Sequence, residues 1–195
     1  MLSPSRSTRG FALSALGRLD EALASFDKSL GLDPNSRVAW KGRGSCLAGL
    51  RRYKDAIASH AKAVAIDPLY VDAWVAMGLN HAALRDGKQA LACYETALKI
   101  DPTHSDAWAY RGDRLLELNR QEEALASFER AIRLSPGNYF AWYGKGDALA
   151  AFGMYGEAVA SYDRALRLAP PAEERLREKL FKQLEHAQQA SAGRR

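Results

Sequence analysis

The residues of this chain that could do chemistry are four histidines, two cysteines, two glycine-flanked cations and several acidic pairs, and their spacing assembles no catalytic site. His60, His81, His104 and His186 form no H-E-x-x-H pattern and accompany no cysteine pair, so no zinc site is expected. Cys46 and Cys93 lie in different predicted helices and read as small buried thiols in a reducing compartment. Gly42-Arg43-Gly44 and Gly144-Lys145-Gly146 have part of the look of a phosphate loop, but each lacks a third glycine and follows no strand. Glu122 with Glu123, and Glu173 with Glu174, open helices, where the macrodipole favours them. The chain is therefore expected not to be an enzyme, and to use no cofactor, no metal and no small-molecule substrate.

These residues are carried by a repeat. Trp40, Trp74, Trp108 and Trp142 follow one another at 34 residues, and a fixed set of columns travels with them. Four residues after each tryptophan come Gly44, Gly78, Gly112 and Gly146; sixteen after come Ala56, Ala90, Ala124 and Ala158. The next columns are His60, Tyr94, Phe128 and Tyr162, then Ala63, Ala97, Ala131 and Ala165, then Pro68, Pro102, Pro136 and Pro170. Small residues in mid-helix let two backbones approach, the large column fills the space they open, and each proline ends a helix. The tryptophans are expected to bury an indole between helices. His60, standing in an aromatic column, reads as a packed side chain.

This column pattern resembles the tetratricopeptide repeat (TPR) family over about nine tenths of the chain. The resemblance implies an all-α, right-handed superhelical solenoid of tandem helix hairpins. The expected organisation is an irregular segment over 1–9, an array of about five repeats over 10–172, a capping helix over 173–190 and a disordered tail over 191–195. The first repeat reads as degraded, because Arg6 stands where tryptophan is expected, although Gly10, Ala22, Phe26 and Pro34 keep their columns. Phe11, Leu13 and Leu16 read as an open apolar face there, which permits self-association by stacking. The degraded start also admits an alternative: the chain as the recruiting segment of a larger multidomain enzyme or regulator.

In such an array the stripe of each first helix that faces away from its tryptophan lines a concave groove, and the resemblance implies a protein or peptide partner there. Helical periodicity places Lys41, Ser45, Asp72, Val75 and Leu79 on the earlier stripes. The later stripes hold Asp106, Tyr110, Asp113, Glu117, Phe140, Tyr143 and Asp147. The first half is small and mildly basic, the second acidic and aromatic. A carboxylate clamp for chaperone tails, the family's best-known ligand mode, matches at Lys41 alone; Ser45, Ala76, Asp106 and Tyr110 replace its other residues, and the aspartate would repel a carboxylate. The groove is expected to take a basic or amphipathic segment instead. Asp113 and Asp147 also admit a plainer reading, as solvated groove residues paired with Arg114 or Lys145, and Asp72 and Asp106 as helix caps.

Composition excludes two other classes. The net charge of +5 resides at the ends: residues 1–19 hold three arginines and no acid, residues 171–195 carry +2, and 20–170 sums to zero. A continuous basic stripe for nucleic acid is absent from the body of the array, so nucleic acid is not the expected partner. No apolar run reaches membrane-spanning length, and no membrane association is expected. The Arg- and Ser-rich start is like a transit peptide, but Gly10 to Leu32 already fits the repeat, and the expected location is the cytoplasm.

Overall fold

The computed structural model describes residues 6–192. Residues 1–5 and 193–195 lie outside the described residues, and with them most of the irregular start and of the disordered tail expected from sequence. The described residues form eleven helices and no strands. They divide into two compact units, Met1–Ile100 and Asp101–Arg195.

The first unit stacks three hairpins: α1 (Arg6–Ala15) with α2 (Leu19–Leu32), α3 (Arg37–Gly49) with α4 (Tyr53–Ile66), and α5 (Val71–Ala83) with α6 (Gly87–Ile100). The second stacks two, α7 (Ser105–Glu117) with α8 (Gln121–Leu134) and α9 (Tyr139–Ala151) with α10 (Tyr155–Leu168), followed by α11 (Glu174–Ala192) against α10. Two boundaries differ from expectation. Helix α1 begins at Arg6, inside the segment read as irregular, and α11 continues through Ser191 and Ala192.

The large column is the core of every hairpin. Phe26, His60, Tyr94, Phe128 and Tyr162 are all fully or almost fully buried. A β-carbon added at Gly10, Gly44, Gly78, Gly112 or Gly146 would come within 2.5 to 2.9 Å of the ring on the paired helix. Gly42 and Gly144 press as tightly on Phe26 and Phe128 of the preceding hairpin. Both glycine-flanked cations thus belong to ring seats in helix packing, which is why glycine persists there despite costing about 1 kcal/mol against alanine. The first hairpin is built on the same seat, with Phe11 edge-on to Phe26 at 5.0 Å; of the three apolar residues read as an open face, Leu13 is buried while Phe11 and Leu16 are exposed.

The tryptophans are partly rather than fully buried, several of them packing against the cores, and each indole N–H donates to the carbonyl of the proline six residues earlier: Trp40 to Pro34, Trp74 to Pro68, Trp108 to Pro102 and Trp142 to Pro136, at 2.8 to 2.9 Å. The indole is amphipathic, and here its polar edge ties the inter-hairpin linker to the following helix. Within hairpins the turn is a left-handed residue in every case: Gly17, Arg51, Arg85, Asn119 and Gly153 all have φ between 56° and 74°.

Candidate interaction surface

The residues expected to line a groove fall into both units. Lys41 and Ser45 sit on α3, and Asp72, Val75 and Leu79 on α5, in the first unit. Leu79, Ser45 and Asp72 are exposed, Lys41 is half-buried, and Val75 is buried. The other seven lie in the second unit on α7 and α9, which touch one another directly. There Tyr110 and Phe140 meet with ring centroids 5.7 Å apart, and Tyr143 packs on Tyr162 at 6.1 Å.

The helix starts around these residues are set by side-chain caps. Ser36, His104 and Asn138 accept the backbone N–H three residues ahead, at 3.3, 3.2 and 3.0 Å. Asp72 and Asp106 stand two residues past the N-caps Tyr70 and His104, as first-turn acids, so neither is the cap it was read as.

Every acid of the second unit's stripe has an internal partner. Arg114 ion-pairs with Asp113 and, at 2.6 Å, with Glu117. Asp106 accepts the Asn138 amide at 2.9 Å. Lys145 turns instead to Glu129 at 3.0 Å, leaving Asp147 to the tyrosines. The Tyr162 hydroxyl donates to Asp147 Oδ1 at 2.7 Å, and the Tyr143 hydroxyl bears on the same carboxylate. Burial raises the Asp147 pKa above the usual aspartate value, against the lowering effect of those hydroxyls and of Lys179. The Tyr143 and Tyr162 phenols are pushed far upward, by burial first and then by the Asp147 charge. Asp147 is thus a half-buried carboxylate held by a tyrosine hydroxyl, whereas Asp106 is exposed and Asp113 keeps a solvated edge.

A second polar ladder escaped the sequence reading. Arg43 donates to Ser59 and Arg111 to Ser127, each at 2.7 Å, with the guanidinium 5.8 Å from the Trp40 or Trp108 ring. The hairpin between them carries Met77 and Cys93 in the same two columns, both buried. An arginine with its hydroxyl acceptor has been exchanged as a pair for a thioether and a thiol, so neither cation nor acceptor is stranded. The exchange was readable as a paired column difference. Burial pushes the Cys93 thiol up to about 11 and the Cys46 thiol upward as well, so neither favours a reactive thiolate at neutral pH. Among the described residues no group of three or more His, Cys, Asp or Glu could hold a metal ion, and no helix is long and apolar enough to cross a membrane.

Comparison with known proteins agrees with the fold. Solved structures of similar architecture include MamA, 24% identical with a TM-score of 0.73 over 82% of this chain and 93% of that one. YrrB, described as a TPR protein with an unusual peptide-binding site, is 24% identical with a TM-score of 0.72, covering 94% and 90%. TTC0263, a thermophilic TPR protein in Thermus thermophilus, is 25% identical with a TM-score of 0.75, covering 92% and 97%. No curated protein matches the sequence. The tetratricopeptide repeat family matches over residues 8–70, 75–139 and 114–173, and with the hairpins built on one recurring ring seat, the chain belongs to that family.

Proposed function

We propose that this chain is a non-catalytic protein-interaction scaffold that captures a basic or amphipathic segment of a partner on the α7 and α9 face of its second unit. Family and fold support the scaffold role. The observation that carries the choice of face is the Tyr110 and Phe140 pair on adjacent helices, flanked by the partly solvated carboxylates of Asp106 and Asp113. Aromatic pairs with an acidic margin suit the aliphatic stem and the charge of lysine or arginine together. A peptide-binding site in the structurally similar YrrB supports a peptide as the ligand class. The reading of the cytoplasm as the working compartment rests on the two buried, unpaired thiols.

The test is retention of partners by wild type beside an Asp106→Lys/Asp113→Lys variant. Asp147→Lys is unsuitable, because it would place an unpaired charge in a half-buried site against the Tyr162 hydroxyl and lower stability, contrary to what its sequence position suggests. Both chosen carboxylates reach solvent, so the double variant keeps its melting temperature within about 2 °C while losing the partner. Equal retention by both proteins excludes this face. The recruiting-segment alternative rests on Arg6 in the tryptophan column of the first repeat, whose Gly10 and Phe26 seat is nonetheless intact.

A further inference from the structure

The partner's place on the second unit is already touched by one basic residue, and that residue belongs to the chain itself. Lys179 on α11 holds its ammonium 4.8 Å from the centroid of the Tyr143 ring and bears electrostatically on Asp147. Helix α11 does not need this contact for docking. Leu180 and Ala187 are buried against the last hairpin, and Arg177 donates to the Leu166 and Ala169 carbonyls at the end of α10, at 2.9 and 3.1 Å. Lys179 remains exposed, so it brings a charge to the site and little packing.

The receiving side is built where the fold does not require it. The column of Asp147 holds Ser45, Leu79 and Asp113 in the other hairpins, and that of Tyr143 holds Lys41, Val75 and Ala109. An uncharged side chain therefore satisfies either position, yet here a half-buried carboxylate accepts the Tyr162 hydroxyl and lies under the influence of Tyr143. The Tyr162 hydroxyl leaves the carboxylate with spare acceptor sites, and the adjacent Tyr143 ring face attracts a cation.

We propose that the Tyr143 ring and the Asp147 carboxylate form a lysine-recognition seat, in which Lys179 is an internal placeholder that a partner's lysine displaces while α11 stays docked. This deepens the function proposed above, on which it rests, by naming the ligand group and making the chain's own helix a competitor. A partner without a correctly placed lysine fails to displace Lys179, so the placeholder sharpens selectivity as well as lowering affinity.

The probe is a fluorescent peptide copying Glu174–Ala192, titrated against the full chain by anisotropy. Lys179→Met keeps the aliphatic stem and removes the charge, and it raises probe affinity by about ten-fold over wild type. A second probe, with norleucine at its copy of Lys179, loses that gain, and Tyr143→Leu added to Lys179→Met erases it. Circular dichroism reports that α11 remains helical in each variant, and Lys179→Gln serves as an independent removal of the charge. Equal affinity of wild type, Lys179→Met and Lys179→Gln, no measurable binding by any of them, or an undiminished norleucine probe overturns the placeholder. If the placeholder falls while Asp106→Lys/Asp113→Lys still loses the partner, the scaffold reading stands alone; if partner loss fails too, both readings fall.

Discussion

His60 shows how far one side chain can depart from the rule its repeat sets. The other rings of its column are phenylalanine or tyrosine; His60 is equally buried, and both of its ring nitrogens lack a hydrogen-bond partner. Burial, with a smaller contribution from the Lys41 charge on α3, lowers its pKa to about 4. Because the folded value lies below that of an unfolded histidine, this group costs no stability above about pH 6.5 and withdraws stability as pH falls from there towards 4. At pH 5 the loss is about 2 kcal/mol relative to pH 8. Urea midpoints across that range show the slope in wild type and lose it in His60→Phe/Ala76→Gly. The second change is required because Phe26 and Phe128 each have glycine on the following hairpin, at Gly42 and Gly144, where the column of His60 has Ala76. A slope that survives the double substitution assigns the acid sensitivity elsewhere. The glycines divide by the same test of space. Gly78→Ala places a methyl 2.5 Å from buried Tyr94 and destabilises by about 1 to 3 kcal/mol, despite the better helix former. Gly31→Ala on α2 meets nothing within 4 Å and stabilises by about 0.5 to 1 kcal/mol, both readable as shifts in thermal midpoint.

At the scale of elements, the helices and the ring seats were legible because packing two helices closely demands a periodic pairing of small with large, and that periodicity is written in residue types. Side-chain direction was less legible. Tryptophan at a fixed column announces burial, yet only the coordinates show the indole N–H reaching a proline carbonyl, because the linker's path is not a property of composition. Likewise Asp147 reads as a solvated acid until Tyr162 arrives from another helix. The hairpin turns could have been found: Gly17, Asn119 and Gly153 mark a left-handed column that also contains Arg51 and Arg85. An arginine held there bears a steric cost of about 1 kcal/mol that glycine avoids. Arg85→Gly is therefore expected to raise stability by about 0.5 kcal/mol after the unfolded-state entropy of glycine is set against it, and chemical denaturation measures the net. A destabilisation beyond about 1 kcal/mol would mean that the Arg85 side chain makes a contact outweighing its backbone strain.

For the molecule as a whole, repetition is what makes fold easy and function hard to read. The columns that repeat belong to packing, whereas those that vary, Lys41, Val75, Ala109 and Tyr143 in one and Ser45, Leu79, Asp113 and Asp147 in another, are where the proposed function places specificity. Variation alone does not say which varied residue is spoken for internally. The structure pairs Arg114 with Asp113 and Glu117, Asn138 with Asp106 and Tyr162 with Asp147, which leaves Asp106, Glu117 and part of Asp113 as the solvated acids. Under the proposed function a basic ligand draws on aromatic contact and a modest charge, and its capture is expected to weaken as pH falls towards the raised Asp147 value. The most direct measurement is calorimetric titration of the full chain with a lysine-bearing amphipathic helical peptide and with its lysine-to-glutamate twin, repeated on Asp106→Lys/Asp113→Lys. The account predicts that the basic peptide binds wild type at least about ten-fold more tightly than its twin and that the double variant abolishes the difference. Equal binding of the two peptides to wild type, or a preference for the glutamate twin, would contradict it.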